Sequence, residues 1–301
     1  VTSQVVWTQW DDVEVPAAFT LLTPSTVPLD GADLGEITFF VPPYMAGRKA
    51  LLPILRMPKL QVVQLPYAGY ESALEFARPG LTICNAGGVH DDSTAELAVG
   101  LTIASLGGFP EFVGNQIRGE WVRSFHKSLS DCRVGIVGFG SIGKRIKENL
   151  GGFAVEVIAF TRSGSNGSMR MSELDAELPH LDVVILSMPL NEESRGLFNA
   201  RKLALMKDGA LLVNVARGPI VDTDALVAEL NSGRILAALD VTDPEPLPEG
   251  HPLWKAKGLL ISPHIGGDST AFEPRFRKLL EEQLRRLDTG EKLKNIVYEG
   301  A

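Results

Sequence analysis

The stretch Gly138-Phe139-Gly140-Ser141-Ile142-Gly143 constrains this chain more than any other. A G-x-G-x-x-G run is weak by itself. Here it follows a short apolar run at 134–137 and opens a helical pattern at 141–150, closed by Gly151-Gly152. That strand, turn and helix are the context the motif needs. The first glycine makes the tight turn, the second lets the backbone approach a pyrophosphate, and the third lets helix and strand pack closely. The helix start, at Ser141 and Ile142, then offers free N–H groups and a positive dipole end to phosphate. A glycine-rich turn in a ligand-free α/β domain is the bland alternative; the context favours a bound dinucleotide.

The same rhythm runs through the rest of the chain. Apolar runs at 155–160, 183–188, 210–215, 235–241 and 259–262 read as strands, and a helix at 224–232 stops at Gly233. Apolar strands alternating with helices predict a parallel, doubly wound sheet covered on both faces, an α/β fold of Rossmann type. Residues 1–90 read as a second, smaller α/β unit, flavodoxin-like, with strands at 5–7, 36–41, 61–65 and 82–85. The amphipathic helix at 272–288 needs an apolar face, and the first unit offers one. The expected domains are therefore 1–90 plus 270–301 for substrate, and 91–269 for the dinucleotide, with a cleft between them. Ser93 and Glu96 have capping-box spacing at the start of a long helix, which makes Glu96 structural. Gly87-Gly88 and Gly266-Gly267 mark the two crossings, where a hinge and a plain tight turn are equally good readings.

Bulk properties narrow the function. A length of 301 residues suits two domains of roughly 100–200 each. The net charge of -8, from 29 basic and 37 acidic residues, argues against a nucleic-acid partner. Lys144-Arg145 and Arg285-Arg286 read as solvated helix faces. Cys84 and Cys132 form no C-x-x-C pair and no disulfide framework, so neither a metal site nor thiol redox chemistry is expected. No apolar run approaches the ~18–20 residues of a membrane helix, and the first residues lack a signal-peptide pattern. A cytoplasmic location without membrane attachment is expected, with the leading Val1 pointing to processing or an unusual start codon.

The end of the second strand selects the cofactor. NAD sites usually carry Asp or Glu there, about 20 residues past the first glycine, to hold the ribose 2′-hydroxyl. This chain reads Phe160-Thr161-Arg162-Ser163, and Glu156 lies at the wrong end of the strand. Arg162 can pair with a 2′-phosphate and Ser163 can hydrogen-bond it, so NADP is expected, with NAD possible if Arg162 is only a solvated loop residue.

Three polar residues follow strands in succession: Arg217 in Asn214-Val215-Ala216-Arg217-Gly218, Glu245 in the segment from Asp240 to Pro246, and His264 in Pro263-His264-Ile265-Gly266-Gly267. In a parallel sheet the C-terminal strand ends line one crevice. Imidazole is a good proton donor near neutral pH, a carboxylate on its other nitrogen fixes the tautomer, and an arginine fork suits a carboxylate substrate. Singly, each has a structural explanation; together after strands of a dinucleotide fold, they read as catalytic. His90, His126, His180 and His251 read as structural.

At these motifs the sequence resembles the D-isomer-specific 2-hydroxyacid dehydrogenase family, looking closest to glyoxylate/hydroxypyruvate reductases. The resemblance runs from Pro66 to the C-terminus and is strongest at 134–143, 189–196, 213–218, 238–246 and 262–267. It implies that Arg217, Glu245 and His264 are the catalytic trio, and that Asp240 holds the nicotinamide amide. It also implies that Ala68 and Gly69 offer backbone amides to the substrate carboxylate, and that Thr94 touches the cofactor. Pro189, Val215, Ala216 and Gly266 lie in the matching segments and join the candidate cofactor contacts. A homodimer through a helical arm at 96–121 is implied too. Two departures stand out: Asn85-Ala86-Gly87-Gly88 lacks the usual Pro, and Tyr67 and Tyr70 are bulky, as an aromatic wall would be. Other readings are a phosphite-type dehydrogenase on the same fold and a non-catalytic, dinucleotide-sensing co-repressor. A formate enzyme is disfavoured because Glu245 stands where such relatives carry Gln.

Overall fold

The structure is a computed structural model, and it describes residues 4–300. The chain divides into two compact units, one running to His90 and resuming at Thr270, the other Asp91–Ser269. Strands and helices are numbered along the chain through both.

The first unit holds β1 (Val5–Trp7), β2 (Thr20–Leu22), β3 (Phe39–Phe40), β4 (Val62–Gln64), β5 (Thr82–Cys84) and β13 (Ile296–Glu299) in the order β13-β5-β4-β3-β1-β2. All neighbours are parallel except β13, which runs antiparallel to β5. Without β13 the order is 2-1-3-4-5, the flavodoxin-like winding. Most strand residues are apolar because both faces are covered; Thr20, Gln64, Thr82 and Glu299 are the polar ones. Trp7, Phe40 and Val63 face a core with Leu51 and Ile54 of a 3-10 helix, Gly47–Arg56. Their neighbours Val6, Phe39 and Val62 point the other way, onto α7 (Phe272–Thr289). That helix presents Phe272, Phe276, Leu280 and Leu284, all buried at four-residue spacing, and ends at Gly290, whose φ of 71° closes it.

The second unit holds β6 (Arg133–Val137), β7 (Glu156–Thr161), β8 (Met169–Arg170), β9 (Val183–Leu186), β10 (Leu211–Asn214), β11 (Leu236–Leu239) and β12 (Leu259–Ile261). Their order is β12-β11-β10-β9-β6-β7-β8, with every pair parallel. This is the Rossmann order, 3-2-1-4-5-6, extended by one strand. Chain order reverses between β6 and β9, so the crevice beyond their carboxyl ends is where a ligand belongs. The helices are α1 (Asp91–Leu106), α2 (Phe109–Arg118), α3 (Ser141–Leu150), α4 (Leu174–Glu177), α5 (Ala200–Leu205) and α6 (Thr223–Ser232). The fold class is the one expected: α/β, with two largely parallel sheets.

Some local expectations need correcting. Helix α1 begins at Asp91, so Ser93 sits inside the first turn rather than at the cap position expected for it. Acidic Asp91 and Asp92 occupy that turn instead, where they suit the dipole. The short strands β2, β8 and β13 were not foreseen. The long arm is two helices, α1 and α2, bent by 64°. No single helix among the described residues is long and apolar enough to cross a membrane; the bent pair passes only when counted together, and α1 buries Ala95, Ala98 and Leu101 against the sheet.

Candidate active site

The glycine-rich turn joins β6 to α3, and its glycines divide the work. Gly138 has φ +98°, and a Cβ there would sit 2.7 Å from the Met188 amide. At Gly143 a Cβ would fall 2.2 Å from the Gly138 carbonyl oxygen, so helix and turn touch with no room for a side chain. Gly140 meets no protein atom within 4 Å. Its missing side chain serves nothing inside the protein and leaves an open approach to the α3 N-terminus. The Ser187 hydroxyl fastens the turn by donating to the Gly138 carbonyl at 2.8 Å. Such a cradle, opening on a helix start at the point of strand reversal, fits the pyrophosphate of a dinucleotide.

Beside the turn lies a cavity of about 390 Å³, lined by Gly138, Gly140, Arg162, Asn166, Pro189 and Glu193 among others. Arg162 extends from the end of β7 with 85% of its side chain exposed, and Glu193 lies 3.4 Å from its guanidinium. Ser163 is exposed and outside the lining, whereas Ser165 and Asn166 contribute to it. Thr161 shapes this loop, its hydroxyl accepting from the amides of Gly164 and Ser165 at 3.0 and 3.2 Å. Sequence reading missed Glu193 because it comes from the loop after β9 and not from the end of β7.

The trio belongs to the second unit and assembles at its strand ends. His264 Nδ1 lies 2.5 Å from Glu245 Oε1. This hydrogen bond and the carboxylate charge raise the His264 pKa, against the opposing effect of burial. Burial pushes the Glu245 carboxyl up, but the His264 bond and charge outweigh it and hold the group below its usual range. The charge of Arg217 reaches both partners. Its Nη1 donates to the Ala216 carbonyl at 2.7 Å, leaving the rest of the fork available. Buried Asn214 pins this loop by donating to the Arg217 carbonyl and accepting from the Ala216 amide, each at 3.0 Å. Next door, Gly218 has no room for a Cβ, which would overlap the Thr242 carbonyl.

His264 has φ 55°, unusual for a residue with a side chain. Asp240 stabilises that conformation. Its carbonyl accepts from the His264 amide at 2.8 Å. Its carboxylate accepts from Ser262 Oγ at 2.6 Å and from the amides of Ile265 and Gly266 at 2.9 and 3.0 Å. Three of its roughly four acceptor positions are thus taken within the protein. Asp240 shapes the histidine turn, a task its sequence context did not reveal. Thr94 joins the cluster by donating to the Gly266 carbonyl at 3.1 Å. Gly266 is therefore a locked turn within its unit. Val215 and Ala216 are buried after β10.

Ala68 and Gly69 lie in the first unit, in the loop after β4. The Ala68 carbonyl accepts from Asn85 Nδ2 at 2.6 Å. Tyr67 and Tyr70 are partly buried and pack on the cluster around Trp7 and Phe40. Gly87 is tied on both sides, its amide to Asn85 and its carbonyl to Asn295. Cys84 is buried, which pushes its thiol up to about 12 and makes it inert. The other histidines make local contacts: His90 Nε2 to the Pro66 carbonyl, His126 to Ser124, and His251 as the cap of a 3-10 turn.

A glycine cradle at the reversal point of a Rossmann sheet, with a carboxylate-backed histidine at neighbouring strand ends, defines a nicotinamide-dinucleotide-dependent oxidoreductase. The chain belongs to the D-isomer specific 2-hydroxyacid dehydrogenase family, whose NAD binding domain matches residues 99–266. An uncharacterized protein in the proB 3′ region of Corynebacterium melassecola is 35% identical over 221 residues, 69% of this chain and 72% of that one. A glyoxylate reductase of Thermofilum pendens is 32% identical over 249 residues, 78% of this chain and 74% of that one. Among solved structures, a D-isomer specific 2-hydroxyacid dehydrogenase of Xanthobacter autotrophicus Py2, in complex with NADPH and MES, matches with TM-score 0.78 at 25% identity, over 99% of this chain and 98% of that one. The chain is an NAD(P)-dependent enzyme of 2-hydroxyacid oxidoreduction.

Proposed function

We propose that this enzyme transfers hydride between NADP(H) and a 2-oxoacid or D-2-hydroxyacid, favouring glyoxylate and hydroxypyruvate. The hydrogen bond between His264 Nδ1 and Glu245 carries the reading. It commits Nδ1 to the carboxylate and leaves Nε2 to face a substrate oxygen. The bound dinucleotide supplies hydride to the carbonyl carbon, or accepts it in the reverse direction. His264 then gives a proton from Nε2 to the carbonyl oxygen during reduction and removes it during oxidation. Glu245 keeps the ring in the right tautomer and favours its charged form. Arg217 binds the carboxylate and polarises the keto oxygen through its free N–H groups. Ala68 and Gly69 would offer backbone amides to a substrate carboxylate, and Asp240 would hold the nicotinamide amide beside the turn it stabilises.

For the dinucleotide, Gly138, Gly140, Ser141, Ile142 and Gly143 would hold the pyrophosphate, with Thr94, Pro189, Val215, Ala216 and Gly266 lining its path. Arg162 and Ser163 would meet a 2′-phosphate. The absence of an acid at the end of β7 supports NADP, and so does the NADPH bound to the Xanthobacter relative. Glyoxylate is favoured on the name of the Thermofilum relative. Residues 1–90 with 270–301 would serve as the substrate domain, 91–269 as the dinucleotide domain, and a second copy of the chain as the partner, in the cytoplasm.

The test is a panel of 2-oxoacids with NADPH and with NADH, on the native enzyme and on Arg162→Ala. Reduction of small 2-oxoacids with NADPH preferred, and a loss of NADPH affinity at least tenfold beyond that of NADH in the variant, is expected. No turnover with any 2-oxoacid would overturn the activity. Equal losses for both cofactors would overturn the NADP assignment.

A further inference from the structure

We propose that Asn85 is a positioning residue for the substrate carboxylate, acting by aiming the backbone amides of the loop after β4. This inference rests on the reading above, that Ala68 and Gly69 bind that carboxylate.

Three successive carbonyls of the loop are held by one segment. The Pro66 carbonyl pairs with His90 Nε2 at 3.1 Å. The Tyr67 carbonyl accepts from the Ala86 amide at 3.0 Å, and the Ala68 carbonyl accepts from Asn85 Nδ2 at 2.6 Å. A trans peptide is planar, with its C=O and the following N–H pointing opposite ways. Pinning the Tyr67 and Ala68 carbonyls against residues 85–86 therefore turns the amides of Ala68 and Gly69 away from that segment, side by side. Among the described residues neither amide donates to a protein group. Adjacent outward amides form an anion-binding nest, the arrangement that captures a carboxylate.

Asn85 is the adjustable part of this device, because the other contact at the amide-bearing peptides is main chain to main chain. Its own orientation is fixed. Oδ1 accepts from the Gly87 amide at 3.1 Å, which assigns Nδ2 to the Ala68 side. The Asn85 amide donates to the Asn295 carbonyl at 3.0 Å, and its carbonyl accepts from Gln64 Nε2, also at 3.0 Å. Gln64 is fully buried and takes its own hydrogen bond from the equally buried Gln283 of α7 at 2.8 Å. A satisfied carboxamide network thus runs from α7 to the loop, and its last bond sets the Ala68–Gly69 peptide plane. Setting the plane before the ligand arrives removes an ordering cost from binding.

Asn85→Ser tests the idea. A serine hydroxyl can still serve the Gly87 amide but is too short to reach the Ala68 carbonyl, and it adds no charge. KM for the best 2-oxoacid should rise at least tenfold, with a smaller effect on kcat. The Kd for NADPH and the KM for the methyl ester of the same acid should stay within twofold. Asn85→Ala should reproduce the split. An unchanged KM for the acid, or equal losses for acid and ester, would overturn the inference while leaving the enzyme a 2-oxoacid reductase. Failure of the native enzyme to reduce any 2-oxoacid would instead remove the reading beneath it.

Discussion

At the scale of single residues the proposed chemistry turns on one short bond, between His264 and Glu245. On the proposed mechanism reduction needs the imidazole protonated, and the Glu245 carboxylate raises the His264 pKa above the usual ~6.5 of histidine. Glu245→Gln preserves a hydrogen-bond acceptor and removes the charge. The alkaline limb of kcat/KM for reduction should then move to lower pH, and His264→Ala should cost about 10²–10⁴ in kcat while NADPH still binds. A limb that stays in place in Glu245→Gln would show that another group donates the proton. The same pair affects stability with opposite signs. The raised His264 stabilises the fold below about pH 6.5 and is lost as pH rises through its folded value; the lowered Glu245 stabilises it above about pH 4.3 and is lost as pH falls through its own. The pair therefore helps most between those limits. Its side chains are 46% and 39% exposed, so screening keeps the benefit under about 1 kcal/mol. The positions of Arg217, Glu245 and His264 were legible because each follows an apolar run. What Asp240 does was not, since its partners Ser262, Ile265 and Gly266 lie more than 20 residues away and meet it only when β11 and β12 pair.

Among the elements, the β6–α3 turn allows protein stability and ligand binding to be separated. Gly143→Ala would force a methyl group into the Gly138 carbonyl, and overpacking of this kind costs about 1–3 kcal/mol. Gly140→Ala meets nothing in the protein, so its stability should change by less than about 0.5 kcal/mol. Its methyl group would stand in the open approach to the α3 N-terminus, and NADPH affinity should fall at least tenfold. Thermal unfolding of both variants with and without NADPH reads the difference. A destabilised Gly140→Ala with unchanged affinity would refute the division of roles. The turn was readable because its glycines punctuate a strand and a helix. Strands β2, β8 and β13 were not, for they are short edge strands. β8 has only the two residues Met169-Arg170, too few to show alternation. β13 is a strand only because β5 offers it an antiparallel edge. The boundary of α1 was misplaced for a related reason. Ser93 looks like a cap in sequence, but Asp91 and Asp92 are tolerated in a first turn, which lets the helix start earlier.

For the molecule as a whole, the surface of α2 bears on assembly. Its sole fully buried residue is Asn115. Phe109, Val113 and Ile117 recur every four residues on one face, with 52%, 56% and 81% of their surface exposed. Trp121 and Phe125 follow, at 96% and 105%. A groove of about 680 Å³ opens between α2 and this segment, lined by Phe112, Asn115 and Trp121. So much contiguous apolar surface is costly in water and marks an interaction face. A second copy of the chain is the proposed occupant, since closed two-fold pairing is the commonest way for one chain to cover such a face. Pairing must also overcome repulsion between two molecules of net charge -8, so a predominantly apolar contact is what the charge requires. Light scattering should give the mass of two chains at micromolar concentration, and added salt should strengthen the association by screening the repulsion. Ile117→Asp combined with Trp121→Asp should yield a monomer that still binds NADPH, because neither side chain contributes to a core. A native mass of one chain, or a double variant that remains paired, would remove α2 from the interface.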